Sequence, residues 1–139
     1  MQRLSDLAEA DATLVMVASD AIAKRFNPDW HVVGAAIRLR SGHIVTGVHL
    51  EANVGRIAVC AEAVALGRAA TEHGETQVEV AVAVYHSQDG QIAVCAPCGM
   101  CRELISDYAP DAQVLVPDDA GSVVRRHILE LLPAKYRRG

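Results

Sequence analysis

The stretch VEVAVAVYH, residues 78 to 86, constrains this chain more than any other. Valine recurs at every second position from Val78 to Val84, with Glu79, Ala81 and Ala83 between, a β-branched run suited to a buried central strand. The run ends at Gln88-Asp89-Gly90, a turn signal. Around it the pattern changes period. Residues 4 to 25 carry Leu4, Leu7, Leu14, Ala18 and Ile22 near helical spacing, and Asn27-Pro28 stops them. VVGAAIRLR (32–40) and HIVTGVHL (43–50) flank Ser41-Gly42 and read as a hairpin. CAEAVALGRAATEHG (60–74) predicts a helix closed by Gly74, and CGMCRELISDYA (98–109) a second one between Pro97 and Pro110. QVLVP (113–117) is another strand, and RRHILELLP (125–133) a short final element. Helices interspersed with strands in this order predict a three-layer α/β sandwich, with residues 1–139 as one domain.

Charge and composition narrow the function classes. A formal net charge of −4 and an aromatic fraction of 4% give no footprint for tracking nucleic acid. The basic end KYRRG reads as a solvated tail. No run approaches the ~18 apolar residues of a membrane span, and the start MQRLSDLAEAD is acidic rather than leader-like. Four cysteines in such a chain point to a reducing, cytoplasmic setting, where clustered thiols bind metal.

Three of the four lie in CAPCGMC, at Cys95, Cys98 and Cys101. Cys60 and the pair Cys98/Cys101 each stand at a predicted helix start. Thiolates bind metal, and a helix N-terminus favours the anion through its free N–H groups and dipole. Two helices starting at one sheet edge would bring three soft ligands together and leave one tetrahedral position open, as catalytic zinc requires. Glu62, two residues after Cys60, is the candidate proton shuttle. Cys95 ends the apolar stretch QIAVC and reads as a buried cysteine. Its ligation would instead make a closed four-thiolate zinc or iron–sulfur site, in which Glu62 has no role.

C-x-E followed by P-C-x-x-C is the zinc-deaminase signature with Cys as first ligand. Here it reads Cys60-Ala61-Glu62 and Pro97-Cys98-Gly99-Met100-Cys101, with 37 residues between Cys60 and Cys98. VVGAAI (32–37), TGVHLEAN (46–53), CAEAVALGRAA (60–70), APCGMCRELI (96–105) and ELLPAKY (130–136) carry the likeness along nearly the whole chain. The chain resembles the small tetrameric cytidine deaminase family, and its first motif is most similar to the blasticidin-type members. That resemblance implies an αβα sandwich around a mixed five-stranded sheet and a homotetramer with shared active sites. It implies Zn2+ on Cys60, Cys98 and Cys101, with Glu62 as the acid/base for hydrolytic deamination of a cytosine nucleoside. It further implies substrate contacts from Glu51, His49, His31 and Ala61. The chain departs from the cytidine-specific pattern at His49, where Asn is usual, at His31, which stands in the aromatic position beside Trp30, and at Ala63, where Arg is usual. Blasticidin-type enzymes share the lack at Ala63, so a cytosine-nucleoside analogue such as blasticidin S is the alternative substrate. Other readings are a structural metal protein and a nucleoside-sequestering protein without turnover.

Without that arginine the charge is unbalanced. Three thiolates and Zn2+ sum to −1, which disfavours ionising a bound water. Arg102 is the candidate compensating cation, with Arg56 and Arg68 as alternatives. His31 and His49 read equally as pocket contacts and strand-end residues, while His43, His73, His86 and His127 read as surface or packing residues.

Overall fold

A computed structural model describes residues 2–139. Helix α1 spans Glu9–Arg25, with Glu9 and Asp11 in its first turn and Lys24 and Arg25 in its last, as the helix dipole favours. It begins later than the apolar spacing from Leu4 predicts. The preceding backbone is claimed elsewhere: Arg3 N–H donates to the Gly121 carbonyl at 2.9 Å, and Val123 N–H donates to the Arg3 carbonyl at 3.0 Å. Leu4 and Leu7 still pack against the core on this side.

Strands β1 (Val33–Leu39) and β2 (Ile44–Val48) form the expected hairpin, from Gly34 opposite Val48 to Arg38 opposite Ile44. Gly42 turns it in the left-handed region, at φ 99°. After helix α2 (Ala61–His73), strand β3 (Val78–His86) runs antiparallel along β1 and is buried through its middle, as its valines demand. Pairing slips by one residue at Glu79, because Arg38 faces Val80 while Leu39 faces Val78.

The other edge of β3 is divided. Strand β5 (Gln113–Pro117) pairs parallel at Val80 and Ala81, and β4 (Ile92–Cys95) pairs antiparallel from Ala83 to His86. Strand β6 (Val123–His127) closes the order β2-β1-β3-β5-β6, with β4 beside β3. The mixed αβα class holds, but the sheet has six strands where five were expected. IAVC is only four residues long, too short to show a period. VVRRH carries consecutive arginines that look helical or exposed until β5 supplies a partner. The final element is therefore a strand followed by a 3-10 turn, Ile128–Leu131.

Helix α1 covers one face, with Leu14, Ala18 and Ile22 against Val80, Val82, Val84 and Leu115. Helices α2 and α3 (Gly99–Tyr108) cover the other, with Leu66, Ala69 and Ile105 against Ile37, Leu39 and Val114. Each fully buried Val, Leu or Ile contributes roughly 1.5–3 kcal/mol. Two glycines set the spacing of these layers. A Cβ on Gly34 would lie 2.8 Å from the Ala18 carbonyl oxygen, and one on Gly47 would lie 2.5 Å from that of Ala61. Close approach at Gly34 therefore serves the packing of α1 on β1. Gly47 seats the first turn of α2 on β2.

Candidate active site

Both metal-binding segments begin helices. Cys60 is the N-cap of α2 (φ −65°, ψ 149°) and Cys98 the N-cap of α3 (φ −68°, ψ 169°), both in the extended conformation that precedes a first turn. Cys101 lies on the first turn of α3 and is buried. The three sulfurs all lie within 4.8 Å of one another, and Cys60 Sγ is 3.4 Å from Cys98 Sγ. Their electrostatics are uneven. Burial opposes ionisation of Cys98, but the N–H groups of Cys101 and Met100 help hold that thiol below its ordinary value. Burial, then hydrogen bonding with Cys98, pushes Cys60 up, and burial, then the Glu62 charge, pushes Cys101 up. Three crowded thiols that resist joint ionisation are what a divalent cation stabilises as thiolates, so the donor set fits zinc.

Glu62 sits on the first turn of α2 and is 5% exposed. Burial pushes its carboxyl above the usual carboxylate range. Cys95 stands apart: it ends β4 opposite Ala83, burial pushes its thiol up to about 11, and it is not in the sulfur cluster. The closed four-thiolate arrangement is therefore absent among the described residues.

The expected substrate residues gather at the end of β2. His31 Nδ1 lies 2.8 Å from the His49 carbonyl oxygen, which only accepts, so His31 donates there. His49 Nε2 is 3.5 Å from Glu51 Oε2, while His49 Nδ1 is buried and finds no hydrogen-bond partner among the described residues. Leu50 and Val59 exchange backbone hydrogen bonds of 2.9 Å, which ties this corner to the residue before Cys60. Glu51 N–H donates to the Trp30 carbonyl at 3.1 Å. Ala61 is fully buried at the start of α2, above Gly47. A cavity of about 1270 Å3 along α1 and β4, on the other face, is lined by none of these residues.

Residues 8–116 match the family described as the cytidine and deoxycytidylate deaminase zinc-binding region. The chain belongs to this family. It is similar to the Blasticidin-S deaminase of Bacillus cereus, 46% identical over 137 residues that cover 96% of both chains. It is 31% identical to the cytidine deaminase of Halalkalibacterium halodurans over 105 residues, 75% of this chain and 76% of that one. Among solved structures, the cytidine deaminase of Mycobacterium leprae superposes with a TM-score of 0.73 at 27% identity, covering 91% of this chain and 99% of that one. The cytidine deaminase from Bacillus anthracis shares the fold, with a TM-score of 0.78 at 22% identity over 92% and 90% of the two chains. As a member of this deaminase family the protein is a hydrolytic enzyme with zinc as its cofactor.

Ala63 is half-buried and lines a cleft of about 180 Å3 with Leu66, Leu104 and Tyr108. Arg102 Nε donates to the Pro97 carbonyl at 2.9 Å, next to Cys98, and its Nη1 donates to the Leu131 carbonyl at 3.0 Å. Arg68 is turned away, to Thr46 O at 2.7 Å and Glu72 at 3.0 Å, and Arg56 is exposed on the 3-10 turn Gly55–Ile57. The remaining histidines pack: His43 stacks on His73, His86 stacks on Phe26, and His127 caps the last 3-10 turn.

Sequence reading missed two residues. Gly47 is one. The other is Lys135, read within a solvated tail, whose side chain is only 3% exposed and lies 2.6 Å from Glu103 and 2.8 Å from Asp107. The signal available was the carboxylate pair four apart on α3, which no cation within that helix matches.

Proposed function

We propose that the protein deaminates a cytosine nucleoside, converting cytidine or deoxycytidine to the uridine counterpart and releasing ammonia. The observation that carries this reading is the convergence of three cysteine sulfurs within 4.8 Å from two helix starts, with the buried Glu62 on the same helix start as Cys60. Cys60, Cys98 and Cys101 hold the zinc, which when bound supplies a Lewis acid that makes water a nucleophile near neutral pH. Glu62 does the proton work. Its carboxylate takes a proton from the attacking water and passes it to the ring nitrogen beside the amino-bearing carbon, as the water oxygen bonds to that carbon. It then takes the remaining hydroxyl proton and gives it to the amino group, which leaves as ammonia. Burial suits Glu62 to both halves, because a raised pKa makes it a better base and still a usable acid.

His31 stands where the base-stacking aromatic is expected, and His49 and Glu51 bind the sugar side of the substrate. The unpaired, buried His49 Nδ1 supports this role, since a polar atom left without a partner is costly unless a ligand completes it. Arg102 offsets thiolate charge through the Pro97 loop that leads into Cys98.

A second substrate is favoured by a specific observation. The match to the Blasticidin-S deaminase of Bacillus cereus covers 96% of both chains at 46% identity, and Ala63 replaces the arginine expected of cytidine-specific members. Blasticidin S presents the same amidine carbon, so the chemistry carries over unchanged. The deciding experiment incubates the zinc-loaded protein with cytidine, deoxycytidine, cytosine and blasticidin S and measures ammonia. Release from none of the four overturns the reading.

We further propose that the chain acts as a single-domain cytoplasmic homotetramer with shared sites. Leu50, Val54, Ile57 and Met100 are exposed in segments flanking the cysteines, which supports burial against other copies. Light scattering of the purified protein reads the copy number. Among the described residues no helix is long and apolar enough to cross a membrane.

A further inference from the structure

The last turns of α3 lack something. The helix is ten residues long, short enough to be marginal alone, and it carries no basic residue in its last turn. Glu103 and Asp107 stand four apart on it, so their like charges repel and Asp107 opposes the dipole at its end. The compensating cation comes from outside the helix. Lys135 Nζ reaches Glu103 Oε2 at 2.6 Å and Asp107 Oδ1 at 2.8 Å, with only 3% of its side chain exposed. The chain turns back to deliver it: Ala134 takes a left-handed φ of 53° in the turn just before Lys135, an uncommon conformation for a residue other than glycine. A second tie runs in parallel. Arg102, on the first turn and a half of α3, joins the Leu131 carbonyl to the Pro97 carbonyl.

We infer that Lys135 is a positioning residue for the zinc site: by clasping Glu103 and Asp107, the C-terminal segment sets the tilt of α3 and so holds Cys98 and Cys101 in register with Cys60. The inference rests on the zinc reading above. Its physical basis is that α2 and α3 each bring their own ligands, so the sulfur triangle is only as rigid as the angle between two helices. Zinc–sulfur bonds of about 2.3 Å tolerate little drift in that angle. A clasp on the outer end of α3 acts on the ligand end as a lever does.

The test compares full-length zinc-loaded wild type, Lys135→Met, Lys135→Arg and the control Lys24→Met, which removes an exposed i,i+4 pair with Asp20 on α1. Two readouts are independent of turnover: the rate of zinc transfer to a chromogenic chelator, and the thiolate-to-metal charge-transfer band of the cobalt-substituted protein. Lys135→Met is expected to release zinc ~10-fold faster or more, with a shifted cobalt band, and Lys135→Arg to return both toward wild type. Lys24→Met is expected to match wild type. Zinc release and a cobalt band unchanged in Lys135→Met overturn the clasp. Should Lys135→Met fail to fold, Glu103→Gln and Asp107→Asn each leave one ion pair. Faster release in either supports the clasp, and wild-type behaviour in both overturns it. A wild-type protein that holds no zinc sinks the zinc reading itself, and is distinguishable because every variant then reads alike.

Discussion

The proton-transfer role proposed for Glu62 depends on where a helix begins. Cys60 occupies the N-cap, so the residue two positions on falls in the first turn, on the same end of the helix as the thiolate. Glu62→Gln keeps the shape but removes the base. The variant is expected to hold one zinc per chain and unfold like wild type, yet lose on the order of 10²–10⁴-fold in turnover. A purified Glu62→Gln protein with wild-type ammonia release would show that another group moves the proton. Cys95 offers the opposite case. It keeps the spacing of its neighbours, but its strand pairs it with Ala83 and turns it out of the cluster. Cys95→Ser is expected to retain one zinc per chain by metal analysis, and loss of that zinc would restore the four-thiolate reading.

At the scale of elements, two glycines in and beneath α2 predict opposite outcomes. At Gly47, on the strand beneath it, a Cβ would meet the Ala61 carbonyl at 2.5 Å and the Ala65 nitrogen at 2.6 Å, both rigid backbone. Gly47→Ala must therefore lift the helix start that carries Cys60 and Glu62. A cost of about 1–3 kcal/mol is expected in denaturant unfolding, with weakened zinc retention. Gly67 lies exposed in the middle of α2, where an added Cβ would meet no neighbouring atom within 4 Å. Gly67→Ala is expected to stabilise by roughly 0.5–1 kcal/mol, since alanine is the better helix former. Equal effects at the two positions would remove the argument that Gly47 seats α2.

At the scale of the whole molecule, Asp11 joins parts of the chain far apart in sequence. It is buried on α1 and bonded to Arg38 of β1 at 2.9 Å and to Arg125 of β6 at 3.0 Å. Burial alone would raise its pKa, but the two guanidinium groups outweigh this and hold it below the usual value. A depressed folded pKa contributes stability that is fully present above the unfolded value of about 3.9. That contribution is lost as pH falls through the lower folded value. Acid unfolding followed by circular dichroism is expected to show Asp11→Asn less stable than wild type at neutral pH, by about 1–3 kcal/mol because Arg125 is half-exposed, with the difference narrowing in strong acid. A gap that stays constant down to the lowest pH would mean that Asp11 acts by packing alone.

How much of this was legible beforehand follows from the range of each interaction. The alternation of valine in β3, the glycine caps and the cysteines at helix starts are local patterns, and they pointed to the layers and to the three clustered cysteines without a structure, with Glu62 as the candidate shuttle beside them. Strands β4 and β6 were not legible, because IAVC is too short to show a period and VVRRH interrupts the apolar run with two arginines, so each is defined by its partner. Nor was the orphaned Nδ1 of His49, the close seat at Gly47, or the capture of Lys135 by α3. These depend on which groups meet across the fold, where hydrogen bonds and charges are satisfied between residues tens of positions apart. By itself the sequence determined which sulfurs can hold the metal and which carboxylate is the candidate to move the proton; only the tertiary structure decided what holds those atoms in place, because that depends on burial and contact rather than on residue type.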